Sequence, residues 1–139
     1  MVDKTSSMLD CINEQRILGN HILAKEEKNF ASFRQAFINV EVRNILFLAT
    51  GSSLNSVMAA KLYFERVAHV TCTVMEPFTF SAYGIATNEF DLVIAVSQRG
   101  TSSSTIDALK KSRGRINAPI IALTGHVDSP LANYADCLI

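Results

Sequence analysis

Short unbroken runs of apolar residues recur along the chain, separated by stretches with helical patterning. Asn44–Thr50 contains Ile45-Leu46-Phe47-Leu48-Ala49, with no alternation of polar and apolar positions. Such a run fits a strand covered on both faces, as in a parallel sheet. Val70–Met75 predicts a second strand through the β-branched residues Val70, Thr71, Thr73 and Val74. Asp91–Val96 and Ala118–Thr124 predict a third and a fourth, with Pro119 acceptable only near a strand start. Asp136–Ile139 opens another apolar run.

Between and before these runs the spacing turns helical. Thr5–Ala24 predicts a helix, capped by Thr5 or Ser6 and broken near Gly19-Asn20. Lys25–Asn29 reads as a solvated turn or helix surface. Phe30, Phe33, Ala36 and Phe37 share a helical face and predict a helix ending near Val40, with the aromatic stripe in the core. A helix rich in small residues follows Ser53. Pro77–Gly84 is a loop or short helix, and Asn88-Glu89-Phe90 leads into the third strand. Ser103–Arg113 is helical, with Ile106 and Leu109 inward, Lys110, Lys111 and Arg113 outward, and Gly114 as its stop. Ser129-Pro130 is a cap followed by proline at the first helical position, predicting a short helix over Pro130–Tyr134.

A helical prefix (1–40) followed by strand–helix units (41–139) predicts an α/β protein. The expected architecture is a three-layer α/β/α sandwich around a parallel doubly wound sheet, flavodoxin-like in its order 2-1-3-4-5. The prefix is expected to pack on the domain.

Two strands of this scheme end in turns of glycine and hydroxyls: Thr50-Gly51-Ser52-Ser53 after the first, and Ser97-Gln98-Arg99-Gly100-Thr101-Ser102 after the third. In the expected order these strands are neighbours whose crossovers leave to opposite faces, and ligands bind between their carboxyl ends. Each turn feeds a helix N-terminus, where free N–H groups and the positive end of the helix dipole favour an anion. The pair therefore points to a phosphate site. Neither turn matches the G-x-G-x-x-G or G-x-x-x-x-G-K-[ST] pattern of nucleotide sites.

Composition narrows the classes further. Thirteen basic residues balance thirteen acidic ones, which argues against a nucleic-acid partner. No apolar stretch reaches the length of a membrane span, and the first residues lack a signal peptide's apolar core. Cys11, Cys72 and Cys137 are scattered, with no C-x-x-C pair. That pattern suits a reducing cytoplasm, with each cysteine a small core residue, and gives no metal site. His21 and His69 read as surface histidines, while His126 follows the fourth strand and could border the crevice.

The first strand and turn, Ile45 to Ser53, together with Val93-Ile94-Ala95-Val96-Ser97-Gln98-Arg99-Gly100-Thr101-Ser102, resemble the sugar isomerase (SIS) domain. The likeness is to the isomerase half of glucosamine-6-phosphate synthase and to bacterial phosphosugar isomerases and fructosamine deglycases. The prefix around Cys11-Ile12-Asn13-Glu14-Gln15 resembles the helix preceding that domain. The resemblance implies a sugar phosphate held by Gly51, Ser52, Ser53, Ser97, Gln98, Arg99, Gly100 and Ser102, with no cofactor. It also implies a homodimer, because family sites lie near subunit contacts. Arg99 stands where the family has serine, and two roles are open to it. It could add charge to the phosphate, or point away and leave only its backbone N–H. Thr101 replaces an acid of the synthase.

Family catalysis resembles an aldose–ketose isomerisation with a glutamate base placed after the fifth strand. Glu65, Glu76 and Glu89 do not match that base, and the domain reads as truncated. Three readings follow: part of a phosphosugar isomerase or deglycase, a binding or sensing module without turnover, and a folded but inactive fragment. A neutral prefix of this length shows no recognition helix of a DNA-binding regulator.

Overall fold

The computed structural model describes residues 7–83, 90–113 and 115–139. The helical prefix comprises α1 (Met8–Leu23), a single turn α2 (Glu26–Asn29) and α3 (Ala31–Phe37). Strands and helices then alternate: β1 (Asn44–Ala49), α4 (Ser52–Ala68), β2 (Thr71–Met75), α5 (Pro77–Tyr83), β3 (Leu92–Val96), α6 (Ser103–Ser112) and β4 (Ile120–Leu123). A 3-10 helix at Pro130–Tyr134 leads to β5 (Cys137–Leu138). The sheet is parallel throughout, in the expected order β2-β1-β3-β4-β5.

The apolar run of β1 explains why both of its faces are covered. Along β1, Leu46 and Leu48 pack with Phe80, Ala108, Leu109 and Leu131, under α5, α6 and the 3-10 helix. The alternate residues Ile45, Phe47 and Ala49 pack on the other face with Val57, and with Phe33, Phe37 and Phe64 half-buried beside them. Leu46, Leu48 and Val93 are completely buried, each contributing about 1.5–3 kcal/mol through removal from water.

Polar side chains fasten the open ends of strands. The Asp91 carboxylate accepts from the backbone N–H groups of Arg43 and Asn44, at 2.9 and 2.8 Å, tying the starts of β1 and β3 together. Asp136 repeats the device before β5, accepting from the N–H of Ile120 and from the Arg113 guanidinium. On the edge strand β2, Lys61 donates to the Cys72 carbonyl and Glu65 accepts from the Cys72 N–H. Lys61 and Glu65 also pair with each other. These bonds occupy the outward backbone groups of Cys72 on an edge strand, where free groups invite pairing with another strand.

The prefix departs from expectation in detail. Ser7 caps α1, in a capping box with Asp10; Thr5 and Ser6 lie outside the described residues. The helix runs unbroken through Gly19-Asn20 to Leu23, because one helical glycine costs only about 1 kcal/mol. Lys25–Asn29 supplies α2, and α3 stops at Phe37 rather than near Val40. Cys11 is exposed on α1, whereas Cys72 and Cys137 are buried as expected. Pro77–Tyr83 is helix, and the short helix expected at Pro130–Tyr134 is present as a 3-10 helix. Gly84, Asn88, Glu89 and Gly114 lie outside the described residues. α4 ends on His69 in a left-handed conformation, φ 54°, a position usually given to glycine or asparagine.

The two backbone N–H groups hold the Asp91 carboxyl below its ordinary pKa. Its contribution to stability is therefore complete above the unfolded carboxyl pKa, near 4, and is lost as pH falls through the lower folded value. Asp91→Ala is expected to lower unfolding free energy by about 1 kcal/mol at neutral pH. Urea melts should show that difference shrinking below about pH 4.

Candidate functional site

The crossover rule places the site. β2 lies on one side of β1 and β3 on the other. Right-handed connections then send α4 to one face of the sheet and α5 to the opposite face, opening a crevice between the carboxyl ends of β1 and β3. Ala49 pairs with Val96 as the last residues of these strands. The turns Thr50–Ser53 and Ser97–Ser102 consequently leave the sheet side by side.

Each turn feeds a helix whose N-terminus has no side-chain cap: Gly51 precedes α4 and Ser102 precedes α6. Ser102 Oγ instead accepts from Thr105 Oγ1 at 2.9 Å and lies 3.3 Å from Ser104 Oγ. Two uncapped helix starts, with their N–H donors and aligned dipoles, thus flank one crevice. Gly51, Ser52 and Gln98 are exposed, Ser53 and Ser102 half-buried, and Ser97 only 8 % exposed. The crevice therefore offers hydroxyls and amides to a ligand oxyanion.

The second turn is rigid because the loop after β4 is fastened to it. Ser97 N–H donates to the Leu123 carbonyl at 3.1 Å, Gly125 N–H to Gln98 at 2.9 Å, and Leu131 N–H to Gly100 at 3.0 Å. Within the turn, Gly100 N–H donates back to Ser97. Gly100 has φ 64°, and a Cβ there would lie 2.1 Å from Ser129 Oγ and 2.3 Å from Ser129 Cβ. Both the backbone conformation and the approach of Ser129 demand glycine at this position. Gly51, at φ 60°, has open space around it, so only its backbone conformation requires glycine.

The 124–130 loop is the part of the site that the motif pattern did not reveal. It forms one wall of an open pocket of about 630 Å³ lined by Arg99, Thr101, Gly125, His126, Asp128 and Ser129 among others. Its signal in the sequence was a third hydroxyl-and-glycine segment after a strand, Thr124-Gly125-His126, followed by Ser129. His126 is exposed on this wall, and Arg99 faces the same pocket. His21 and His69 are exposed elsewhere. Glu65 serves the β2 edge, and Glu89 lies outside the described residues.

A second cavity, of about 450 Å³, opens on the α3–α4 face among Phe30, Phe33, Phe47, Phe64, Ile94 and Ile121. Among the described residues its only polar lining side chain is that of Ser56, so it has little with which to orient a charged ligand. Among the described residues no His/Cys/Asp/Glu group could hold a metal ion, and no helix is long and apolar enough to cross a membrane.

A parallel 2-1-3-4-5 sheet with hydroxyl-rich turns at its switch point defines the class of domain. Residues 40–139 match the family model of the SIS domain, and the chain belongs to that family. Among curated relatives, glutamine–fructose-6-phosphate aminotransferase [isomerizing] from Chlamydia trachomatis is 29 % identical over 89 % of this chain. The Yersinia pseudotuberculosis enzyme is 36 % identical over 69 % of it. The chain spans only 20 % and 16 % of those relatives' lengths.

Among solved structures, the C-terminal domain of glucosamine-fructose-6-phosphate aminotransferase from Francisella tularensis superposes with a TM-score of 0.83 at 24 % identity, covering 99 % of this chain and 41 % of that one. A provisionally assigned phosphosugar isomerase from Bacillus subtilis gives 0.70 at 26 % identity, covering 80 % and 34 %. Vibrio vulnificus NanR, complexed with ManNAc-6P, gives 0.68 at 20 %, covering 97 % and 51 %.

Gly100→Ala is expected to cost about 3 kcal/mol, combining left-handed strain with overpacking against Ser129. Adding Ser129→Gly should recover the packing part and leave the strain. Thermal melts of the single and double variants check this; equal loss in both would contradict it.

Proposed function

We propose that the chain binds a phosphorylated sugar or amino sugar as part of a phosphosugar isomerase or deglycase. The observation that carries this reading is the pair of uncapped helix N-termini flanking the β1–β3 crevice. Gly51, Ser52 and Ser53 would supply one half of a phosphate cradle. Ser97, Gln98, Gly100 and Ser102 would supply the other. A phosphate dianion brought there meets N–H and O–H donors already held in place by the sheet and by the 124–131 loop, so little ordering is required on binding.

These residues are equipped to bind and orient. Moving a proton between carbons of an aldose–ketose pair needs a base beside the sugar carbonyl, and neither turn contains a carboxylate. The role assigned to them is therefore the holding of the phosphate, common to an isomerase, a deglycase and a non-catalytic sensor. Membership in the SIS family supports the sugar-phosphate class. A cytoplasmic setting is part of the same reading, supported by three free cysteines.

Ser97→Ala is expected to weaken binding of glucosamine 6-phosphate or fructose 6-phosphate by about tenfold, the loss of one hydrogen bond to a charged group. Titration calorimetry measures it, and equal affinity in both proteins would remove Ser97 from the cradle.

We further propose a homodimer. α1 carries Met8, Leu9, Ile12, Ile17, Leu18, Ile22 and Leu23, each more than half exposed and none buried. An isolated helix of this length is marginal in water, so a partner surface is expected to cover it. Leu18→Asp should turn a dimer into a monomer in sedimentation velocity. A wild-type monomer would contradict the proposal.

A further inference from the structure

We infer that the pocket between the Ser97–Ser102 turn and the 124–130 loop is a second oxyanion subsite, taking the far-end phosphate or carboxylate of a sugar ligand. The inference rests on the proposed cradle at the β1–β3 crevice, which would hold the sugar's first phosphate. It identifies Arg99 as a specificity-determining residue.

The position of Arg99 is the first argument. The pocket it lines includes Thr101, His126, Asp128 and Ser129, and none of Gly51, Ser52, Ser53 or Ser102. The turn therefore has two working sides. Its helix start faces the crevice beside β1, and Arg99 faces the loop after β4. Arg99 has no ion pair among the described residues, although Asp128 lines the same pocket. A guanidinium left open in a concave site suits a planar or tetrahedral oxyanion, which it can grip with two parallel N–H bonds.

The second argument is preorganisation. Gly125 and Leu131 hold the two walls together through the carbonyls of Gln98 and Gly100. The wall itself is closed by Ser129 N–H donating to the His126 carbonyl at 3.1 Å and by His126 N–H donating to Thr124 Oγ1 at 3.3 Å. Behind this wall Ser129, 5 % exposed, packs its side chain against Gly100 and fixes the distance between turn and loop.

The third argument is reach. β1, β3 and β4 are successive neighbours, and parallel strands lie about 4.8 Å apart. The pocket is thus one strand spacing from the crevice, within the span of a single six-carbon chain. Asp128 lines the same pocket, and its negative charge would repel an anion that brings no hydroxyl donor to it.

Calorimetric titration of the full chain with fructose 6-phosphate, fructose 1,6-bisphosphate and 6-phosphogluconate tests the subsite. The wild type is expected to bind at least one of the two doubly anionic probes about tenfold more tightly than fructose 6-phosphate. Preference for the bisphosphate assigns a phosphate to the pocket; preference for phosphogluconate assigns a carboxylate. Arg99→Ser should abolish the preference while leaving fructose 6-phosphate affinity within about twofold, and Asp128→Asn should widen it. Arg99 is exposed, so unchanged thermal melts are expected of its variant.

The inference is overturned if the wild type shows no preference, if Arg99→Ser leaves the preference intact, or if it weakens all three probes equally. Arg99-dependent binding of a doubly anionic probe, without binding of fructose 6-phosphate, would keep the subsite and overturn the cradle. Fructose 6-phosphate binding with no preference would keep the cradle and overturn the subsite.

Discussion

The handedness of the strand crossovers governs this molecule. A right-handed connection from β1 must reach β2 through a helix on one face. The next connection, passing back over β1 to β3, must use the other face. The separation of α4 from α5 follows, and with it the gap between the carboxyl ends of β1 and β3. Everything proposed about function depends on that gap. The residues at its edges are short, hydroxylated and glycine-rich, so backbone N–H groups stay accessible where two helices begin. Large side chains there would have covered the same amides.

Stabilising contacts and the proposed site occupy opposite ends of the sheet. At the amino ends of the strands, Asp91 and Asp136 use carboxylates to satisfy backbone N–H groups. At the carboxyl ends, the helix starts of α4 and α6 lack equivalent side-chain caps. Leaving such donors open forgoes about 1 kcal/mol per helix, a cost that a bound anion would offset. The turn after β3 compensates by being fastened to β4 and the segment that follows it, through Gly100 packed against Ser129 and backbone hydrogen bonds with Leu123, Gly125 and Leu131.

Much of this was legible in the chain itself, and the parts of the site that were not share a cause. The strands could be read because a run such as Ile45–Ala49 has nowhere to sit except inside a doubly covered sheet. The two turns could be read because glycine and serine follow those runs directly. What local pattern could not convey were contacts between distant segments. Ser129 lying over Gly100 depends on how β3 and β4 align, and the direction of Arg99 depends on which side of its turn remains open. The end of α4 was hidden differently, since His69 adopts a backbone conformation for which glycine is the usual signal. The break expected at Gly19 was absent because surrounding helix formers outweigh one glycine.

The sugar phosphate is proposed to sit between the helix starts of α4 and α6. The most direct measurement is an amide-resolved NMR titration of the ¹⁵N-labelled chain with glucosamine 6-phosphate. The largest saturable shifts are expected at the N–H groups of Ser52, Ser53, Ser103 and Ser104. Shifts centred on α1, on the amino ends of the strands or on the apolar cavity beneath α3, with those four amides unmoved, would contradict it.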